Sequence, residues 1–319
     1  MKPTNELQEL CLRVLDQCVA IDKGESCLLI TDLRASSLSH ALGKAVLVRG
    51  GVLSVLSLPK EVYTKESLPR NVEAALTSSE VVVIHTRYLF PQQPRRLAAK
   101  AGARVLSLCA VTEDMALRAL NVDYGELSTI THKLAEMFAC AQEIHIKSGN
   151  GEKFCAKIAN QPVIYLDGVA RTPGQISALP AGVVATLPIP GSAQGRVVLN
   201  GSLTGFGLLD EPVVLEVKSG RVVRISGGKE AKKLERLLRN ADEGAWHVAE
   251  IGLGTNPKAV YTGNLVEDER VLGSAHVGLG RNTHLGGMIK SSLHLDGTIR
   301  YPYVYLDGKL IACNGSLVL

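Results

Sequence analysis

Residues 81–108 read VVVIHTRYLFPQQPRRLAAKAGARVLSL and indicate the architecture of the first half of the chain. Residues 81–85 are rich in β-branched side chains and favour a short buried strand. Residues 94–101 predict a helix that leads to a second strand at 104–108. A strand, a helix and a strand in that order indicate a parallel βαβ unit with a right-handed crossover.

The same alternation extends to both sides of this unit. We predict further helices at residues 7–20, 36–49, 71–76 and 124–140. We predict further strands at residues 26–31, 51–58 and 143–147. The first half is therefore predicted to be an α/β domain with an open, largely parallel sheet. The segment after its first strand, TDLRAS, lacks the GxGxxG pattern of a dinucleotide site.

The pattern changes near residue 149, where short strands between Gly, Pro and Asn turns replace the alternation. Strands are predicted at 196–199, 213–217 and 222–225, and a helix at about 229–238. We therefore expect an α/β domain at residues 1–148 and a β-rich (α+β) domain, metal-binding and catalytic, at 149–319.

Composition restricts the class of protein. The net charge is only +4, and no basic stripe with interleaved aromatic residues occurs, which argues against nucleic-acid binding. The seven cysteines form no CxxC pair and are typical of reduced thiols. No apolar run approaches the roughly 20 residues that a membrane span needs. These features predict a cytoplasmic protein that binds no membrane.

Histidines concentrate late in the chain, since four of the eight lie between His247 and His294. Imidazoles and carboxylates are the usual ligands of transition metals. His294 and Asp296 are two residues apart, so on a strand both side chains point to one face. An H-x-D triplet alone is often merely exposed, but here it suggests one end of a metal site.

Two further segments supply the remaining candidate ligands. Glu250 follows apolar residues and precedes a Gly-rich turn, so it is expected to be buried and to need a partner, either a cation or a basic side chain. His276 lies among small apolar residues, where it is either a ligand or a core histidine bonded to a carbonyl. With His294 and Asp296 these residues form a predicted metal site suited to Zn, Co, Mn or Fe(II).

A set of spaced motifs resembles the aminopeptidase T-type metallopeptidases, whose superfamily includes the 2,5-dihydroxypyridine dioxygenases. The motifs are AEIGLGTNP (249–257), TGN (262–264), EDERVLGSAHVGLG (267–280) and HLDG (294–297), extended upstream by LPAGVVATLPIPGSAQG (179–195). The resemblance implies an α/β domain, a β-rich metal domain and a homodimer. It also implies that Glu250, His276, His294 and Asp296 match the metal ligands of the peptidases.

Two positions depart from the peptidase pattern. Val183 stands where the peptidases carry a ligand glutamate, and Thr283 where they carry a ligand tyrosine. We therefore expect one tightly bound metal ion, with a second weak or absent. The dioxygenases also lack that glutamate and use one Fe(II), but they carry His at the place of Glu250 and none at that of His276. By the resemblance, the chain is intermediate.

Three functions are compatible with these residues. We predict first a metal-dependent hydrolase of a peptide or small amide, with metal-bound water as nucleophile and Glu267 or Glu269 as general base. The alternative is a mononuclear Fe(II) dioxygenase that cleaves the ring of a hydroxylated pyridine-like substrate. A recruited biosynthetic homologue is the third. His284, Arg300 and Tyr301 are candidate contacts to the substrate.

Overall fold

The computed structural model describes residues 4–65, 67–148 and 151–319. Its α-helices are α1 (Asn5–Cys18), α2 (Ser37–Val48), α3 (Lys60–Tyr63), α4 (Arg70–Thr77), α5 (Gln92–Lys100), α6 (Glu113–Ala119), α7 (Tyr124–Cys140), α8 (Lys229–Arg239) and α9 (Leu265–Asp268). Two 3-10 helices cover Glu243–Trp246 and Thr283–Leu285. Within the described ranges, no helix is both long enough and apolar enough to cross a bilayer.

The strands divide into one parallel and two antiparallel sheets. They are β1 (Ser26–Asp32), β2 (Val52–Leu58), β3 (Val81–His85), β4 (Arg104–Ser107), β5 (Glu143–Lys147), β6 (Lys153–Lys157), β7 (Val163–Leu166), β8 (Ile176–Ala178), β9 (Val183–Thr186), β10 (Gln194–Leu199), β11 (Ser202–Leu203), β12 (Gly207–Leu208), β13 (Val213–Lys218), β14 (Arg221–Gly227), β15 (Val248–Gly254), β16 (Ala275–Gly280), β17 (His294–Ile299), β18 (Tyr303–Leu306), β19 (Lys309–Cys313) and β20 (Ser316–Leu317).

The first compact unit contains the residues up to Ser128 together with Leu166–Ala181. Its five strands pair in the order β2-β1-β3-β4-β8, and all four pairings are parallel. Every residue of β3 is buried, because helices cover both faces of an interior parallel strand. The side chains of Thr4, Ser36 and Thr112 cap α1, α2 and α6 by accepting a hydrogen bond from a backbone amide.

The second compact unit contains Thr129–Tyr165 and Gly182–Leu319. One sheet has the order β14-β13-β10-β6-β5-β18-β19-β20, and the other has the order β12-β11-β17-β16-β15-β9-β7. The inner faces of both sheets contribute to one apolar cluster, to which α7 and α8 also add side chains. Helix α8 follows β14 and packs against β14 and β13.

The predicted fold class is confirmed: a largely parallel α/β region comes first and an antiparallel β-rich region follows. The chain passes between the two units three times, after Ser128, Tyr165 and Ala181. The reason is β8, which returns from the β-rich half of the sequence and extends the parallel sheet beside β4.

Candidate metal centre

Three adjacent strands, β15, β16 and β17, carry the four predicted ligands on one face. Glu250 pairs with Gly278, and Gly278 in turn pairs with Asp296, so the two carboxylates lie in one row across the sheet. His276 lies two residues from Gly278 on β16, and His294 lies two residues from Asp296 on β17. Side chains two residues apart on a strand share a face. The sheet therefore brings all four side chains together.

The opposite face of the same strands belongs to the apolar core. It carries Ile251, Leu253, Val277, Leu279 and Leu295, all of them buried. Polar and glycine residues alternate with these apolar ones, as a sheet with one face in the core requires. The strand register that buries the apolar set is thus the register that places the polar set at the site.

Gly278 leaves open the space between the two carboxylates. A Cβ atom there would lie 2.6 Å from Asp296 Oδ1, 2.9 Å from Glu250 Cγ and 3.6 Å from His294 Cε1. The backbone of Gly278 does not have a positive φ, so the requirement for glycine is one of space. Three potential ligands therefore surround a position that any other residue would fill.

Direct contacts connect the four side chains. His276 Nε2 lies 3.1 Å from Glu250 Oε1, and His294 Nε2 lies 3.4 Å from Glu250 Oε2. His294 Nε2 also lies 3.1 Å from Asp296 Oδ2. The Oδ1 atom of Asp296 is buried and has no hydrogen-bond partner among the described residues. A buried carboxylate oxygen without a donor is suited to a cation.

The tautomer of neutral His294 follows from its second nitrogen. His294 Nδ1 lies 2.7 Å from the carbonyl oxygen of Arg281, which can only accept a hydrogen bond. Nδ1 therefore carries the hydrogen, and Nε2 of the neutral ring keeps its lone pair on the side of the carboxylates. Metal-binding histidines are commonly oriented by such a hydrogen bond to a carbonyl group.

His284 belongs to the same cluster. It lies in the 3-10 helix Thr283–Leu285, and its ring is perpendicular to that of His294 at 4.7 Å between centroids. Glu250, His284 and His294 each offer a ligand atom within 4.8 Å of the others. The sequence suggested a substrate contact for His284, but the structure places it where it can also bind a metal ion.

Asn282 holds the loop that carries His284 against strand β15. Its buried side chain donates from Nδ2 to the carbonyl oxygen of Ala249 and accepts at Oδ1 from the amide of Ile289. Gly287 allows this arrangement, since a Cβ there would lie 2.3 Å from Asn282 Cγ. Because Ala249 precedes Glu250, one amide side chain links two parts of the candidate site.

Replacing Asn282 with Ala is expected to weaken metal binding about 10- to 100-fold, as loss of a supporting hydrogen bond commonly does. The reason is that His284 loses its fixed distance from Glu250 and His294. Titration of the metal-free protein with Co(II), followed by visible absorption, measures this affinity. The variant Asn121→Ala, in the first unit, serves as the control. Unchanged Co(II) affinity and spectrum for Asn282→Ala would exclude the positioning role.

The charges of the cluster shift its pKa values. Burial lowers the pKa of His294, but the hydrogen bond to Asp296 and the charges of Asp296 and Glu250 together raise it to about 9. Burial also lowers the pKa of His276, but the hydrogen bond to Glu250 and the nearby carboxylates outweigh it, so the pKa of His276 is raised. Burial raises the pKa of Asp296, but the hydrogen bond to His294 and the charge of that ring outweigh it, so the pKa of Asp296 is lowered. Positive charge on the imidazoles thus offsets the carboxylates when no cation is bound.

Metal binding at pH 7 is therefore expected to release about one proton per chain, since His294 has a pKa of about 9 and must be neutral to bind a metal. Below pH 9 the affinity for metal rises with pH, because less work is needed to remove that proton. Calorimetric titration in buffers of different ionisation enthalpy counts the released protons. A count of zero at pH 7 would contradict the protonation state of His294.

The two predicted general bases have different surroundings. Glu267 is fully buried and accepts a hydrogen bond of 3.1 Å from the amide of Val260, a contact that stabilises the turn before α9. Glu269 pairs with Arg270 at 2.5 Å. Burial, followed by the charge of Asp296, raises the pKa of Glu269 to about 7. Glu269 is thus able to exchange a proton near neutral pH.

The remaining predicted positions have contacts of other kinds. The guanidinium group of Arg300 stacks on Tyr261 at 4.5 Å, and Tyr301 is largely exposed with a positive φ. Val183 lies on β9 opposite Gly254 and is buried. An apolar side chain thus occupies the position at which the peptidases carry a ligand glutamate.

The donor set of imidazoles and carboxylates fits a divalent transition metal better than Ca or Mg. Comparison with known proteins agrees with this chemistry. The profile of the family described as NicX, 2,5-dihydroxypyridine 5,6-dioxygenase, matches residues 6–319. The chain belongs to this family. The resemblance inferred from the spaced motifs is confirmed.

Individual relatives are similar to this chain over most of its length. A 2,5-dihydroxypyridine 5,6-dioxygenase of Pseudomonas putida is 27% identical over 259 residues, which cover 77% of this chain and 73% of the relative. The solved structure of the 2,5-dihydroxypyridine dioxygenase from P. putida KT2440 matches with a TM-score of 0.86 at 23% identity, over 99% of this chain and 98% of the other. The solved structure of wild-type AmpT from Thermus thermophilus matches with a TM-score of 0.73 at 17% identity, over 98% of this chain and 99% of the other. Both solved structures share the fold of this chain.

Family membership corrects the first functional prediction. The predicted hydrolase of peptides or amides is wrong, and the family supports the alternative, a dioxygenase. Glu250 and His276 match the peptidase pattern and favoured a hydrolase. The presence of Val183, where the peptidases carry a ligand glutamate, separates the two activities better. The prediction of a metalloenzyme is confirmed, as are a divalent metal and a small-molecule substrate.

Proposed function

We propose that this protein is an Fe(II)-dependent dioxygenase that opens the ring of a hydroxylated pyridine. One observation carries the proposal: in a chain of the dioxygenase family, two carboxylates and the imidazole of His294 surround the space above Gly278, and the imidazole of His284 offers a further ligand atom to Glu250 and His294. Sites with histidine and carboxylate ligands that leave coordination positions open are typical of non-haem Fe(II) oxygenases. The name of the Pseudomonas relative suggests 2,5-dihydroxypyridine as the first substrate to test.

In this proposal Glu250, His284, His294 and Asp296 hold the iron. His276 contacts Glu250 and orients its carboxylate through the hydrogen bond to Oε1. Arg281 fixes His294 through its carbonyl group. When bound, Fe(II) supplies the one-electron chemistry that O₂ requires and a positive centre for an ionised hydroxyl group of the substrate.

Glu269 is the residue that we propose to take up the proton of that hydroxyl group. Its pKa of about 7 keeps part of the carboxylate ionised at neutral pH, and the same pKa allows it to hold a proton afterwards. Glu267 is engaged by the amide of Val260 and is assigned a structural role. Arg300 and Tyr301 remain predicted substrate contacts.

Anaerobic purification followed by metal analysis and oxygen uptake tests this function. We expect about one iron per chain and consumption of one O₂ for each 2,5-dihydroxypyridine, whereas protein loaded with Zn(II) should consume none. The stoichiometry follows from a dioxygenase that transfers both oxygen atoms to its substrate. Two equivalents of Zn, Co or Mn per chain, with no oxygen uptake by the iron-loaded protein, would refute the proposal.

A further inference from the structure

A cavity of about 510 Å³ lies in the second unit, between helix α8 and the turn that joins β11 to β12. Glu230, Lys233 and Leu237 of α8 line it. These residues are three and four positions apart, so their side chains share one face of the helix. The cavity has the size of a small-molecule site, which commonly measures roughly 300–1,000 Å³.

Large apolar side chains form part of the cavity wall. Phe206 lies in the turn between β11 and β12, and the buried Leu295 lies on β17. Together with Leu237 they provide an apolar surface for a ligand. Leu295 projects from the face of β17 opposite to His294 and Asp296, because it stands between them in the strand. The cavity is therefore distinct from the candidate metal centre.

Glu230 is a buried carboxylate whose hydrogen bonds are incomplete. Its side chain is only 9% exposed, and Oε1 lies 3.6 Å from Lys229 Nζ. The Oε2 atom is buried and has no hydrogen-bond partner among the described residues. A buried polar atom without a partner carries the full cost of its lost hydration. A ligand that donates a hydrogen bond to Oε2 from the cavity would therefore bind more strongly than at an exposed carboxylate.

The charges at the cavity indicate which chemical groups it can bind. Lys233 and Arg236 also line it, and within the described part of the chain neither side chain forms an ion pair. Two positive groups beside one carboxylate disfavour a lone metal cation, because they repel it. They suit a molecule that carries both a carboxylate, for the two basic side chains, and an ammonium group, for Glu230.

We propose that this cavity binds a free α-amino acid with an apolar side chain. The ammonium group donates to Glu230 Oε2, and the carboxylate pairs with Lys233 and Arg236. Residues one helical turn apart have Cβ atoms about 5–6 Å from each other, a spacing that suits two charged groups on one carbon atom. The apolar side chain packs against Phe206 and Leu295. This inference depends neither on the proposed reaction nor on the metal.

Calorimetric titration of the full-length protein with L-leucine tests the site, in the presence of EDTA so that leucine cannot bind through a metal ion. We expect one leucine per chain, and Glu230→Gln to weaken binding about tenfold or more, since a charge-assisted hydrogen bond is lost. Glu235→Gln is the matched control, because Glu235 lies on the same helix, pairs with Arg239 and does not line the cavity. A parent that binds no leucine, or a Glu230→Gln variant with the affinity of the parent, would overturn the proposal.

Isocaproate, which is leucine without its amino group, tests the contact to Glu230 in the unaltered protein. We expect it to bind the parent about tenfold or more weakly than leucine, since Oε2 then has no donor. Glu230→Gln should bind isocaproate at least as well as the parent does, which also shows that the variant is folded. If the parent binds isocaproate and leucine equally well, the ammonium group makes no contact and the proposal is wrong.

Discussion

Replacing His294 with Ala is expected to reduce the iron content of the purified protein below a tenth of an equivalent and to abolish oxygen uptake. His294 Nε2 contacts both Glu250 and Asp296, so its loss removes the group that joins the two carboxylates. Loss of a residue that only supports a ligand commonly costs 10- to 100-fold in metal affinity. Loss of the ligand itself should cost more than about 100-fold.

Metal analysis and Co(II) titration measure this effect independently of turnover. His145→Ala is the matched control, since His145 lies on β5 with a partly exposed side chain beside Glu143. It should bind metal as the parent does. If His294→Ala binds metal like the parent while remaining folded, the assignment of the metal centre is wrong.

Much of the fold could be predicted from local patterns. The strand predicted at residues 81–85 is β3, and the helix predicted at 124–140 is α7, with the same limits. The three-residue β8 was not predicted, because its role depends on pairing with β4, about 70 residues earlier, and no local pattern encodes that contact. The four-residue helices α3 and α9 are likewise too short to show a period.

The candidate site divides in the same way. His294 and Asp296 were found from the two-residue period of a strand, and Glu250 from a charge among apolar neighbours. The role of Gly278 could not be predicted from the sequence. Gly278 contributes by having no side chain between Glu250 and Asp296, and this is visible only once the pairing of the three strands is known. His284 lies in a loop, and only the contacts of Asn282 determine where that loop lies.

The type of reaction was the hardest property to predict. Hydrolases and oxygenases both use histidine and carboxylate ligands, so the residue types alone do not separate them. Glu250 and His276 match the peptidase pattern and therefore favour a hydrolase. The buried Val183 on the site-facing side of β9 argues instead for a site with fewer carboxylates, in agreement with the dioxygenase family.

Replacing Gly278 with Ala is expected to weaken metal binding by about 100-fold or more while leaving the protein folded. The new methyl group would lie 2.6 Å from Asp296 Oδ1 and 2.9 Å from Glu250 Cγ. Both side chains must move away from the position that the metal shares with them. The cost in affinity should approach that of losing a ligand, since misplaced carboxylates no longer match the short distances of metal coordination.

Stability should respond differently from metal affinity in this variant. Because Gly278 has no positive φ, alanine fits the backbone, and the smaller entropy of the unfolded chain offsets part of the contact strain. Thermal unfolding without metal should therefore change little, while the stabilisation added by Co(II) is lost. Gly125→Ala, at an exposed position in α7, is the control and should keep that stabilisation. Full stabilisation of Gly278→Ala by Co(II) would mean that the metal binds elsewhere than above Gly278.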